Sequence, residues 1–255
     1  MERNEGCVGA AVVTAAMVVV GCGGSSEPTP LETVSTSGGE EATAADDGLR
    51  TSGTLGTLPQ FAVENTLQAR QRKFLRCFTE AWRRNELVGG EVRFVFRVDE
   101  EGAVRWLYLG ESTVGDRATE RCLLDVAREA TFPEPSDGEA EFTWSLAVDP
   151  MEDVRPPVAM DAERAAAEVA EDAAAALGEC APGGAAPYRV TTYVRPGGSV
   201  LAAGVASRAE AEAEVDADAP PEVDPEVLEC LVEQVAEWEL PDPGSYPGKV
   251  TLELR

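Results

Sequence analysis

Residues 91–112 read EVRFVFRVDEEGAVRWLYLGES and residues 186–207 read APYRVTTYVRPGGSVLAAGVAS, two stretches that match when Gly198 is set on Gly102 and Val200 on Val104. In the first, Val92, Phe94, Phe96 and Val98 alternate with the outward Arg93 and Arg97, the period-two pattern of a strand with one buried face. DEEG at 99–102 supplies a tight turn, and AVRWLYLGES returns as the partner strand of a hairpin. A helix bearing a cysteine follows each hairpin. Ten residues beyond Cys122 begins Phe132-Pro133-Glu134-Pro135, and ten beyond Cys230 begins Leu240-Pro241-Asp242-Pro243. Proline cannot continue a helix and restrains the residue before it, so both helices stop there. EAEFTWSLAV (139–148) and GKVTLELR (248–255) then close the two halves as strands. The order is helix, strand, strand, helix, strand, twice. The expected class is α+β: two αββαβ domains, each a three-stranded antiparallel sheet on two helices.

The first helix of the first half, FAVENTLQARQRKFLRCFTEAWRRNEL (61–87), sets Phe61, Leu67, Phe74, Leu75, Phe78 and Trp82 near helical spacing, with six bases between Arg70 and Arg84. The second helix has Asp116 as its expected cap, with Cys122, Leu123, Val126 and Ala130 on its inner face. Cys180 stands in the second half where Cys77 stands in the first. Matched positions therefore pair Cys77 with Cys122 and Cys180 with Cys230. On the chain-entropy model, closing loops of 45 and 50 residues stabilises each half by up to roughly 4 kcal/mol. The domains are expected at 59–150 and 161–255, joined by a linker at 151–160 that carries Pro156 and Pro157. Phe74, Phe78, Phe94, Phe96, Leu123 and Phe142 are the expected apolar stripe of the first, and Leu177, Val190, Val200, Leu231 and Leu252 that of the second. About twelve extra residues in the second half fall in an acidic, proline-containing insertion at 207–224, read as a solvated loop; it lacks the glycine and regular acid spacing of a calcium loop.

Lys plus Arg number 21 against 47 Asp plus Glu, a net charge of −26 that repels phosphate backbones and anionic headgroups, so nucleic acid is excluded as a partner. The chain holds no histidine, which removes the commonest general base and metal ligand, and no cofactor or metal site is expected. The apolar run Val8–Val20 is too short to span a bilayer but suits a signal peptide over 1–21. Val19-Val20-Gly21-Cys22 resembles the lipobox of bacterial lipoproteins, which implies that Cys22 is lipidated and becomes the first mature residue. Residues 22–58 are rich in Gly, Ser, Thr, Pro and acid, the composition of a disordered tether. An even remainder of four cysteines suits the oxidising compartment that export implies.

The combination of cysteine-bearing helices, a G-x-V hairpin, FPxP and a closing strand behind a lipoprotein signal resembles the AgmX/PglI C-terminal domain, a TonB-like module of myxobacterial envelope proteins, here in two copies over 59–255. The lipobox implies a lipid-anchored protein facing the periplasm, and Gly23 in place of Asp points to the outer rather than the inner membrane by the enterobacterial sorting rule; the family resemblance brings no catalytic residues and implies a module that binds an unidentified envelope protein. TonB-like sheets recruit an extended peptide along an open edge, and the end strands at 142–148 and 250–254 are the candidate edges. Arg70, Lys73, Arg76 and Arg84 are candidate partner contacts on the basic helix face. The alternative function is an envelope polysaccharide-acting enzyme that uses paired carboxylates such as Glu111 and Asp116.

Overall fold

The computed structural model describes residues 56–182, 187–207 and 224–254. The expected signal peptide over 1–21, Cys22, the expected tether as far as residue 55 and the insertion from 208 to 223 lie outside these residues.

The alternation in 91–98 forms β1 (Gly90–Val98), which pairs antiparallel with β2 (Val104–Ser112) on one side and β3 (Ala140–Val148) on the other. Val92, Phe94, Phe96 and Val98 are buried against α2 (Gln71–Arg84) and α3 (Arg117–Arg128). Aromatic rings build this core. Phe96 stacks on Phe142 with centroids 5.0 Å apart, Phe94 on Trp144 at 5.6 Å, and Phe132 meets Phe96 and Phe142 edge-on. Where one helix is expected over 61–87, the chain makes two, because α1 (Gln60–Gln68) ends in a tightened turn in which Arg70 N–H bonds the Leu67 carbonyl. The break lets Leu67 and Phe74 enter the same core, both almost wholly buried.

The second half repeats the plan with α5 (Ala170–Cys180), β5 (Tyr188–Val194), β6 (Val200–Ser207), α6 (Pro225–Ala236) and β7 (Gly248–Leu254), again with a short helix in front, α4 (Ala162–Glu168). Its core has no phenylalanine: small aliphatics fill it with Tyr188 and Trp238. Its sheet has four strands rather than the expected three, because β4 (Val158–Ala159), inside the expected linker, runs parallel to β7 at Gly248 and Lys249. The described chain is thus mixed α+β, six helices and two sheets. Of the two expected apolar stripes, only Phe142 and Leu177 are less than fully buried. Disulfides join Cys77 to Cys122 and Cys180 to Cys230, with Cα atoms 5.8 and 5.6 Å apart. In each half the bond staples the helix before the hairpin to the helix after it.

Both hairpins are locked to their Pro-acid-Pro stretch in the same way. Phe132 N–H donates to the Gly102 carbonyl (2.8 Å), and Leu240 N–H to the Gly198 carbonyl (2.9 Å). Gly102 and Gly198 take φ of +84° and +99°, and a Cβ on either would press within 2.0 and 2.4 Å of the Phe132 and Leu240 carbonyl oxygens. The recurrence of Gly and of apolar-Pro-acid-Pro therefore has one cause: each sequence element is the other's steric partner. One difference between the hairpins is local. Gly110 is skipped in the β1–β2 register as a bulge, whereas β5 and β6 run unbroken from Tyr188 to Tyr193.

The halves are not separated by their connection; all the described residues fall within one compact unit. Tyr193, from the second hairpin, lies in the aromatic core of the first half.

Gly197 also has a positive φ (+95°) but nothing within 4 Å of its missing Cβ. Gly198→Ala is therefore expected to cost more stability than Gly197→Ala, by at least about 1 kcal/mol, since only the former adds a clash to the backbone strain. Urea denaturation of the two variants checks this, and equal midpoints would contradict the clamp.

Candidate interaction surfaces and the interface between the halves

An edge strand leaves one row of backbone groups without ladder partners. In the first sheet β3 is such an edge: beyond the bridge from Gly56 to Ala140, no described strand pairs with its outer side. Glu141, Thr143, Ser145 and Ala147 are exposed, and Phe142, Trp144, Leu146 and Val148 on the alternate face are half-buried. The second expected edge is corrected. β7 lies between β4 and β5, and α4 packs against it, because the chain before α4 turns back along the sheet.

The expected basic face is largely neutralised by the protein itself. Lys73 and Arg70 both engage Glu129, whose carboxyl is held below its ordinary range chiefly by the hydrogen bond from Lys73. Arg84 pairs with Asp116 at 2.7 Å. Arg76 is exposed and, with Lys73, lines a groove between α2 and α3 beside Cys122.

Glu111 and Asp116, the alternative carboxylate pair, serve different arginines. Glu111 lies 3.0 Å from Arg93 and 3.4 Å from Arg189 of the second half. Asp116 caps α3 by accepting from Thr119 N–H at 2.8 Å, which places it at a helix N-terminus where a carboxylate is stabilising. Neither lines the two described grooves.

The most unusual chemistry among the described residues sits between the halves. Glu120, on the first turn of α3, is wholly buried; it accepts from Ser112 Oγ (2.6 Å) and from Val205 N–H of β6 (3.1 Å). Its carboxylate fills the space above Gly204, where a Cβ would lie 2.3 Å from Oε1. Arg117 stands 3.9 Å from Glu120 and donates through Nε to Glu229 of α6 at 3.0 Å. On the far side, Tyr193 OH donates to the Gly89 carbonyl and accepts from Gly89 N–H, while Lys249 Nζ donates to the same carbonyl and lies 4.9 Å from the Tyr193 ring centre. Thr191 Oγ1 donates to the Ser112 carbonyl. Burial pushes the Glu120 carboxyl up to about 7, against the opposing pull of Ser112, Arg117 and Val205. Burial likewise pushes the Lys249 ammonium down to about 8, with Glu120 opposing.

The sequence gives no direct sign of this cluster, because Glu120 is one acid among many on an amphipathic helix. Gly204 inside a strand was the available signal, since a glycine there marks a close approach. What approaches it comes from another part of the chain.

Beside this interface runs a groove of about 650 Å³. One side is β2 at Trp106–Leu109; the others are α3, the end of β6 at Val205 and Ala206, and the start of α6. Among the described residues no group of His, Cys, Asp or Glu could hold a metal ion, and no helix is long and apolar enough to cross a membrane. No protein-family model, curated protein or solved structure matches this chain.

A carboxyl with a raised pKa in the fold makes the folded state bind protons more tightly than the unfolded one. Glu120 should therefore lower stability progressively as pH rises from about 4.5 to about 7, by up to roughly 3 kcal/mol, with no further change above that. Glu120→Gln keeps the shape without the charge and is expected to flatten stability across pH 5 to 7.5, raising it most at the upper end. Denaturant titrations at several pH values test this. A variant that keeps the wild-type slope would show that Glu120 is not the titrating group.

Proposed function

We propose that this chain is a non-enzymatic lipoprotein of the bacterial cell envelope, anchored through Cys22 and facing the periplasm, with the outer membrane as its site. Its two αββαβ halves are copies of the TonB-like AgmX/PglI module, and they act as a scaffold that binds another envelope protein. Support for the anchor comes from Val19-Val20-Gly21-Cys22 and the tether composition. Support for the compartment comes from the two disulfides, which accumulate where thiols are oxidised. The repeated Gly and apolar-Pro-acid-Pro clamp supports a duplicated module.

One observation carries the binding role: β3 offers an outer edge with no described strand beyond Ala140. An extended segment laid along it would complete the backbone ladder and meet the half-buried Phe142, Trp144 and Leu146 on one face. A photo-crosslinking residue at Thr143 or Ser145 in cells is expected to trap a discrete protein adduct, and the same residue at Glu163, on exposed α4, is not. Equal adducts from all three sites, or none, would remove β3 as the binding edge. For the anchor, a fatty-acid analogue should label the wild type and not Cys22→Ser; equal labelling of both would end that part of the reading.

A further inference from the structure

Edge strands of soluble proteins carry features that stop them from pairing with a copy of themselves: a proline, a lysine, a bulge, a very short length or a charge turned inward. β3 has none of these. It is nine residues long, its sequence AEFTWSLAV holds neither proline nor lysine, and its register with β1 runs unbroken from Ala140 to Val148. Its one charge, Glu141, lies on the exposed face and is paired with Arg97 at 3.4 Å. The other edges of the two sheets are closed. β2 and β6 pack against each other, and β4 is only two residues long.

The chain entering α1 sets how much of the β3 edge is free. Gly56 bridges Ala140 and donates its N–H to the Glu139 carbonyl, so it holds the first position on the outer side and leaves the edge open from Glu141 onward. β3 itself has the sequence that this open length accepts. When a second copy is laid antiparallel with Trp144 opposite its own equivalent, Glu141 faces Ala147, Phe142 faces Leu146 and Thr143 faces Ser145. Directly opposed residues share a face of the sheet, so half-buried apolar side chains meet one another and small exposed ones meet one another. Other registers lose this match. A slip of one residue sets Phe142 against Ser145 and opposes the two faces. A slip of two either sets Glu141 against Asp149 or drives Leu146 onto Ala140, where Gly56 already sits.

We propose that β3 pairs with β3 of a second copy of this chain, antiparallel about Trp144, joining two three-stranded sheets into one of six strands. This rests on the β3 reading above and names the partner that the edge takes. Pairing of identical strands in this way is isologous, so one contact satisfies both copies and closes the assembly at two. The net charge of −26 opposes association in general, but each meeting strand brings a single charge, set opposite an alanine and balanced by Arg97 of its own sheet.

The test uses the full chain with both disulfides formed, produced in cells as two copies that carry different affinity tags. The two tagged forms should co-purify, and a photo-crosslinking residue at Ser145 should give an adduct with the mass of two chains. Thr143→Lys with Ser145→Lys sets lysine opposite lysine in this register and should cut co-purification at least tenfold, as should Thr143→Glu with Ser145→Glu. All four substitutions fall on exposed side chains and should leave the melting curve unchanged. Producing the Lys form together with the Glu form should restore the pair to the wild-type level, because each lysine then faces a glutamate. Failure of the wild-type forms to co-purify, undiminished association of the Lys form, or a mixed pair no stronger than either form alone would each overturn the proposal. An adduct at Ser145 that contains a different protein would also overturn it, while leaving β3 as a binding edge. The absence of any adduct at Thr143 and Ser145 would remove both.

Discussion

The contact of the Glu120 carboxylate with Gly204 is the constraint on which the arrangement of the two halves depends. A carboxyl group removed from water is unfavourable unless its oxygens are satisfied, and both are: one by Ser112 from its own half, the other by a backbone N–H from the opposite half. The space exists only because position 204 has no side chain. Separating the halves would strip the carboxylate of Val205 N–H, Tyr193 of both its bonds to Gly89, and Glu229 of Arg117. These losses coincide, so the interface behaves as a unit rather than as a sum of weak contacts.

The interface also explains how unequal halves coexist. The first half carries the aromatic core, with six rings linked by contact, Phe74, Phe94, Phe96, Phe132, Phe142 and Trp144, and a further Phe78–Trp82 pair. The second is built from alanine, valine and leucine, whose burial stabilises less per residue. It gains instead from Tyr193, Leu201, Ala202 and Ala206, which pack against the first core. The second half docks through β6, which packs against β2 and α3, and β3 is left as the open edge on the opposite side of the first sheet.

Local chemistry made much of this readable beforehand. The period-two runs gave the hairpins, and the matched cysteine positions gave the pairings that the disulfides adopt. The Gly102 and Gly198 alignment anticipated a repeated feature whose cause, a carbonyl pressed against the glycine, is visible only in three dimensions. What escaped reading was tertiary in origin. The break between α1 and α2 follows from a single tightened turn with no proline or glycine to announce it. β4 is two residues long and exists because β7 is there to pair with. The basic face of α2 read as available because its counter-ions, Asp116 and Glu129, cap the two ends of a different helix. Of the candidate edges, 142–148 is an outer strand and 250–254 is not, a distinction fixed by the order of strands in space.

The central claim is that the halves form one cooperative body through the buried interface. Trp238 reports on the second half and Trp82 and Trp144 on the first, so two variants, one keeping only Trp238 and the other only Trp82 and Trp144, allow each to be followed by fluorescence during urea unfolding. The account predicts one transition, with coincident midpoints for both reporters. Two separated transitions, with the second half melting while the first stays folded, would contradict it.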